Sequence, residues 1–259
     1  MPKGWALITG ASGGLGAEIA RVAAREGWNL VLAARSQDKL EALAAELAAA
    51  HGVEAVAEAV DLEAPGAAAA LWERASAGRE IEILVNNAGM GSRGAYATAR
   101  ARETSIVALN VVAYEALLSR AVPDMRARGH GRILNVASLA GFMPGPNGAV
   151  YHASKAFALA LSEAIALELE GSGVSVTTLC PGTMATGYDA AADMPPTLLR
   201  RVFPIRRPET VAARGWAALM AGEGTIVTGA HNRLFAQLPR LFSRRFLARL
   251  TGRMRRTGG

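Results

Sequence analysis

The chain predicts an α/β fold: one doubly wound, seven-stranded parallel sheet between two layers of helices. Three observations carry this expectation. Short runs rich in Val, Ile and Leu alternate with Ala/Leu/Glu-rich stretches along most of the sequence. Those runs are apolar on both sides, as strands covered by helices on both faces must be. Glycines at 27, 52, 78, 129 and 171 fall where the intervening helices should stop. A repeated βαβ alternation of this length points to a single parallel sheet with crossover helices.

The elements follow in order. A strand over Trp5–Thr9 leads through a glycine-rich turn into a helix over Gly16–Glu26. A second strand, Asn29–Ala34, precedes a helix over Gln37–Ala50, for which Ser36 is a plausible side-chain cap. The strand Val53–Val60 and the helix Gly66–Ala77 form the next unit, followed by the strand Ile81–Asn86 and a long helix over Glu103–Arg128. Arg132–Ala137, Val174–Cys180 and Thr225–Thr228 complete the strands, with helices over Tyr151–Glu170 and Glu209–Ala221. No Pro/Ser-rich linker or internal repeat interrupts this course. Residues 1–233 read as one domain and 234–259 as a basic extension.

Of the 259 residues, 51% are hydrophobic and 19% charged, which excludes a disordered chain. The net charge of +6 suggests an anionic partner at first sight. Its distribution says otherwise. No acidic residue follows Glu223, whereas eight arginines do; without them the chain holds 20 basic against 22 acidic residues, a net charge of −2. The single Cys180 excludes an intrachain disulfide and fits a reducing compartment. No uninterrupted apolar stretch reaches spanning length. Met1-Pro2-Lys3-Gly4 runs directly into a strand-like segment without a signal peptide's apolar stretch, so the expectation is a cytoplasmic protein.

The first strand ends in Thr9-Gly10-Ala11-Ser12-Gly13-Gly14-Leu15-Gly16 and opens a helix. Glycines at these positions allow a sharp turn and close backbone approach to a pyrophosphate, with amide N–H groups and the positive helix end aimed at it. Alone, a glycine triplet is equally a tight strand–helix turn. Its place after the first strand of a βαβ unit favours a nucleotide site. The spacing Gly-x3-Gly-x-Gly resembles that of the short-chain dehydrogenase/reductase family, whose fold is of the Rossmann type.

The second strand ends in Ala33-Ala34-Arg35-Ser36, with no carboxylate to receive an adenosine ribose. A guanidinium instead suits a 2′-phosphate, so Arg35 and Ser36 point to NADP(H) rather than NAD(H). The plainer alternative for Arg35 is a solvated loop cation. The resemblance implies that Asp61-Leu62 borders the adenine. Asn86-Asn87-Ala88-Gly89 matches the family's signature, with Asn87, Ala88 and Gly89 beside the cofactor.

Tyr151 and Lys155 stand at i and i+4 on one helix face. A tyrosine with its ordinary pKa near 10 is a poor acid–base catalyst at neutral pH, and a nearby cation stabilises its phenolate. In an arbitrary helix the pair would be an ordinary amphipathic contact. Here Ser138 follows the fifth strand, where the family keeps a substrate-orienting serine. Asn110 sits where the family places an asparagine tied to the lysine; its bland reading is a local helix kink. The resemblance covers about residues 5–230 and assigns Asn110, Ser138, Tyr151 and Lys155 as the catalytic tetrad. Lys155 and Tyr151 would also touch the nicotinamide ribose. Pro181 and Gly182 resemble the family's turn beside the nicotinamide, with Thr183 and Thr186 as candidates for its carboxamide. Cys180 lacks the local base or cation of a reactive thiolate. The histidines at 51, 130, 152 and 231 lack metal-ligand spacing, so no metal is expected; His152 should point away from the catalytic face.

Residues 184–207 should form a lid. Its apolar side chains and its arginines fit either a lipophilic anionic substrate or a packed lid with solvated cations. The tail Leu238–Arg256 reads as one basic amphipathic helix with Phe242, Phe246, Leu247, Leu250 and Met254 on one arc. It either docks on protein or lies on an anionic membrane. No nucleic-acid partner is expected. The combined expectation is an NADP(H)-dependent oxidoreductase acting on a small carbonyl or alcohol. By resemblance it forms a homodimer or homotetramer through the helices carrying Asn110 and Tyr151. A non-catalytic nucleotide-binding scaffold is the competing class.

Overall fold

A computed structural model describes residues 3–92, 94–98, 100–184 and 206–254. Its seven strands are β1 (Trp5–Thr9), β2 (Asn29–Ala34), β3 (Ala55–Ala59), β4 (Ile81–Asn86), β5 (Gly131–Val136), β6 (Val174–Cys180) and β7 (Thr225–Val227). They form one sheet in the order β3-β2-β1-β4-β5-β6-β7, parallel at every pairing. The order reverses between β1 and β4. A crevice therefore opens where their following loops diverge, the place at which such sheets bind ligands.

Side-chain alternation along the strands builds two cores. Ala6 and Ile8 of β1, with Ile83 and Val85 of β4, face α1 (Gly14–Arg25), α2 (Gln37–His51) and α7 (Pro208–Ala221). Leu7 and Leu84 point the other way, toward α3 (Ala67–Ser76), α5 (Tyr114–Arg128) and α6 (Ala149–Glu168). Trp216 edges onto Trp28 in the first core at 6.4 Å between ring centroids. The period-two pattern thus fills both faces, and the expected three-layer architecture forms.

Two local expectations change. Ser36 occupies the position before α2, but its side chain makes no capping hydrogen bond; its carbonyl receives the Leu40 N–H at 3.1 Å. The long helix starts earlier, at Arg100, as α4 (Arg100–Val107), and widens into a π-helical segment over Ala108–Ala113 before α5. Single π-helical turns of this kind are frequent at functional sites, and this one contains Asn110. By length and hydropathy alone, Arg102–Arg128 is also long and apolar enough to cross a membrane, a property not apparent from uninterrupted apolar runs. Its inner face, including Ile106, Tyr114, Leu117 and Met125, is buried in the core.

The tail is not one helix. α8 (Ala230–Gln237) runs through residue 233, a tight turn covers Leu238–Arg240, and α9 spans Arg244–Met254. Pro239 has no N–H with which to continue a helix. Ser243 restarts it, its carbonyl receiving the Leu247 N–H at 3.1 Å and its hydroxyl the Phe246 N–H at 3.3 Å. Arg255 and Arg256 lie outside the described residues.

Candidate active site

The glycine-rich loop divides into a packed half and an open half. Gly10 adopts a left-handed conformation (φ +68°), and a Cβ there would meet the Asn87 amide nitrogen at 2.8 Å. A Cβ on Gly16 would run into the Gly10 carbonyl, so these two residues permit α1 to pack against its own entry loop. Gly13 and Gly14 are exposed, and a Cβ on Gly13 would meet nothing within 4 Å. No side chain caps the first turn of α1 and no acidic residue lies in it. Its free N–H groups and positive end fit a pyrophosphate. Ser12 is half-buried on this turn, while the Leu15 side chain faces the core, leaving only its backbone for a ligand.

Thr9 locks this loop to its neighbour. Its hydroxyl donates to the Val85 carbonyl at 3.2 Å and accepts the N–H groups of Asn87 and Ala88, both at 2.9 Å. The Asn87 amide returns a bond to the Thr9 carbonyl at 2.8 Å. Asn87 therefore joins the loops after β1 and β4. Thr9 entered the sequence reading only as the first residue of the glycine motif.

At the outer strands, Arg35 is largely exposed and stands 3.5 Å from the Glu63 carboxylate. Ser36 is exposed beside it. Asp61 accepts the Glu63 N–H at 3.0 Å, closing a turn, and Leu62 is buried in the core.

The expected tetrad residues surround one end of α6. Lys155 is buried, and its ammonium donates to the Val136 carbonyl, at the end of β5, at 2.9 Å. Burial lowers its pKa to about 8. Gly89 leaves room for both neighbours, since a Cβ there would lie 3.2 Å from Asn110 Oδ1 and 3.4 Å from Lys155 Nζ. Asn110 is fully engaged: Oδ1 accepts the Met90 N–H at 2.9 Å, while Nδ2 donates to the Met90 carbonyl at 2.8 Å and to Ser154 Oγ at 3.0 Å. Ser154 in turn donates to the Tyr151 carbonyl at 2.8 Å. The π-helical segment thus places Asn110 where it ties the loop after β4 to the turn of α6 holding Tyr151 and Lys155. A polar residue between Tyr151 and Lys155 was the available signal for Ser154, and the sequence reading passed over it.

Ser138 follows β5 in extended conformation and caps a short 3-10 turn, Leu139–Phe142, accepting the Ala140 N–H at 3.1 Å. The adjacent Leu139 N–H reaches the Pro181 carbonyl at 2.9 Å. Tyr151 is half-buried in the first turn of α6. His152 is buried, with Nδ1 2.8 Å from the Met143 carbonyl, so its ring supports the loop leading from Ser138.

The sequence pattern described as short chain dehydrogenase matches residues 4–195. The chain belongs to that family. Among curated proteins it is similar to the ketoacyl reductase HetN of Nostoc sp., 39% identical over 178 residues, which is 68% of this chain and 62% of that protein. The chain therefore spans less than two thirds of that relative's length. Among solved structures it resembles a short-chain dehydrogenase from Sphingobium yanoikuyae in complex with NADPH: 32% identity, TM-score 0.82, and 93% of each chain covered. It also resembles a short chain dehydrogenase/reductase from Burkholderia phymatum in complex with NAD: 26% identity, TM-score 0.82, with 92% of this chain and 93% of that one covered.

The remaining border of the candidate site lies after β6. Gly182 has no room for a Cβ beside the Asn232 side chain, and Asn232, buried in α8, donates to the Thr228 carbonyl at 2.6 Å. The Pro181-Gly182 turn is thereby held from the C-terminal segment. The Thr183 carbonyl receives the Arg206 N–H at 3.0 Å. Thr186 and the lid positions 185–205 lie outside the described residues. Burial pushes the Cys180 thiol up to about 12, which disfavours a nucleophilic thiolate. Among the described residues, no cluster of three or more His, Cys, Asp or Glu side chains could hold a metal ion.

Proposed function

We propose that the protein is an NADP(H)-dependent oxidoreductase that interconverts a ketone or aldehyde with an alcohol. One observation carries the reading: a buried ammonium, Lys155, held on the Val136 carbonyl one turn from Tyr151 and beside Asn110. Burying a cation is costly, so its placement among polar groups at a sheet crevice favours a functional site over a packing one.

The open turn at Gly13-Gly14 and the uncapped start of α1 would hold the pyrophosphate, with Asp61, Leu62, Ala88, Gly89 and Pro181–Thr183 along the remaining length. The bound nicotinamide would supply or take the hydride. Tyr151 gives its phenolic proton to the carbonyl oxygen as negative charge develops there. Ser138 donates a hydrogen bond to the same oxygen, stabilising that charge. Lys155 favours the phenolate left on Tyr151. Asn110 and Ser154 keep this turn of α6 registered against the loop after β4. A positioned general acid contributes about 10²–10⁴-fold to rate.

Arg35 supports NADP(H) over NAD(H), since a guanidinium complements a 2′-phosphate. Glu63 opposes this by partly neutralising Arg35. Arg35→Ala decides between them: a loss of NADPH preference supports the assignment, and an unchanged preference removes it. The reaction is tested by NADPH oxidation over a carbonyl panel that begins with 3-oxoacyl thioesters, as the similarity to a ketoacyl reductase suggests. Tyr151→Phe should abolish most turnover; undiminished turnover would refute the mechanism.

Val107 and Val112 on the long helix and Leu167 on α6 are exposed, which supports self-association through these helices. A monomeric mass in sedimentation at micromolar concentration would exclude it.

A further inference from the structure

The C-terminal segment has an inner side that is committed and an outer side that is not. On the inner side of α9, Leu247 is buried and the Thr251 hydroxyl donates to the Pro144 carbonyl at 2.6 Å. Gly252 packs on Pro146, where a Cβ would approach the proline ring to 3.3 Å. The helix is therefore fixed to the loop that joins Ser138 to Tyr151.

On the outer side, Leu241 is 77% exposed, Phe242 44% and Phe246 49%. The two phenyl rings stack at 5.0 Å with 27° between their planes, so they form a ready-made apolar ridge. Arg240, Arg244, Arg245 and Arg249 are exposed around it. None has an acidic partner among the described residues, and no acidic residue follows Glu223. In the body, several arginines (Arg21, Arg74, Arg128 and Arg214) stand against glutamates.

We infer that this face, residues 240–249 spanning the turn before the anchored α9 and its first turns, docks on an anionic lipid surface. Membrane-surface helices combine an apolar strip that enters the headgroup boundary with flanking cations that pair with lipid phosphates. A polyanion such as nucleic acid would satisfy the arginines but leave Leu241, Phe242 and Phe246 in water. Anchoring by Leu247 and Thr251 means the ridge needs little further ordering to bind. The inference is independent of the proposed reaction, since its readout is binding alone.

The test is co-sedimentation of the full chain with phosphatidylcholine vesicles and with vesicles in which part of that lipid is replaced by phosphatidylglycerol. The expected result is binding to the anionic vesicles only, reversed by high salt. Arg244→Gln with Arg245→Gln should lower partitioning by roughly 30-fold, the equivalent of two surface cations. Phe242→Ser with Phe246→Ser should abolish it while leaving the melting temperature unchanged. If that pair lowers the melting temperature, the arginine pair decides alone. The inference is overturned if the full chain ignores anionic vesicles, binds neutral ones equally, or binds undiminished without the phenylalanines. Loss of a lipid-free oligomer in the phenylalanine variant would also overturn it, because a second copy would then be the occupant.

Discussion

The loops after β1 and β5 both border the proposed site, yet they are held in different ways. Residues 10–16 close on themselves and on one neighbour: Gly16 packs against the Gly10 carbonyl, and Asn87, just past the adjacent β4, bonds to Thr9 at the end of β1. Residues 138–148 depend on distant chain. Leu139 reaches Pro181, Gly141 lies on the α6 backbone, His152 holds Met143, and Thr251 of α9 reaches Pro144 across 107 positions. The first loop can be written in a short motif. The second has a shape that several elements impose together, so its disturbance should reach both stability and turnover.

The largest effect should come from beneath the second loop. Lys155→Met removes the buried ammonium from Val136 and should cut kcat by about 10²-fold or more, within the range of a lost acid–base partner. Steady-state kinetics would show this, and a variant with full kcat would separate Lys155 from the chemistry.

The same residue has a pH signature. Its folded pKa of about 8 lies below the 10.5 expected for the unfolded chain, so the unfolded state binds more protons between those values. Relative to Lys155→Met, the native protein should gain stability as pH rises through that window, by about 3 kcal/mol at most. Below it, the burial cost is present in full. Denaturant unfolding at pH 7.5 and at pH 10 would measure the difference; a flat difference would contradict the burial of the charged form.

Glycine substitutions sharpen the contrast further. Gly141→Ala would place a Cβ 2.6 Å from the Lys155 carbonyl, and Gly16→Ala one against the Gly10 carbonyl. Each should cost about 1–3 kcal/mol by overpacking. Gly141→Ala should lower kcat, whereas Gly16→Ala should chiefly raise the Kd for NADPH. Gly13→Ala, with open space around its Cβ, should leave stability within about 0.5 kcal/mol and weaken NADPH binding. If Gly13→Ala binds NADPH normally, the open half of the loop is not the pyrophosphate cradle.

The smallest effect should be that of Thr251→Val. It deletes one hydrogen bond to Pro144, worth about 1 kcal/mol in thermal unfolding, with a modest fall in kcat. No change in either would detach α9 from the second loop.

The course of β1–β7 was readable from residue type because parallel strands buried on both faces must be apolar throughout. Tyr151, Lys155, Ser138 and Asn110 could be singled out by order and spacing within a recognisable motif set. The bracing roles of Thr9, Ser154 and Asn232 were not legible, because a hydroxyl or amide on a strand end or helix shows its use only when its partner is located. The tail reads as one helix from Leu238 because the apolar arc of Phe242, Phe246, Leu247, Leu250 and Met254 suits one, whereas the backbone makes a separate turn over Leu238–Arg240 and becomes helical only from Arg244.

By itself, the sequence determined the alternation of strands and helices, the glycine-rich turn, and the clustering of basic charge after Glu223. These depend on neighbours a few positions apart. Only the tertiary structure decided that Gly10 and Gly16 serve packing while Gly13 faces open space. It also decided that Asn110 braces Met90 and Ser154, and that Leu247 is buried while Phe242 and Phe246 stay in water. Those outcomes turn on distances between segments far apart in the chain, where burial and hydrogen-bond partners assign different fates to similar residues.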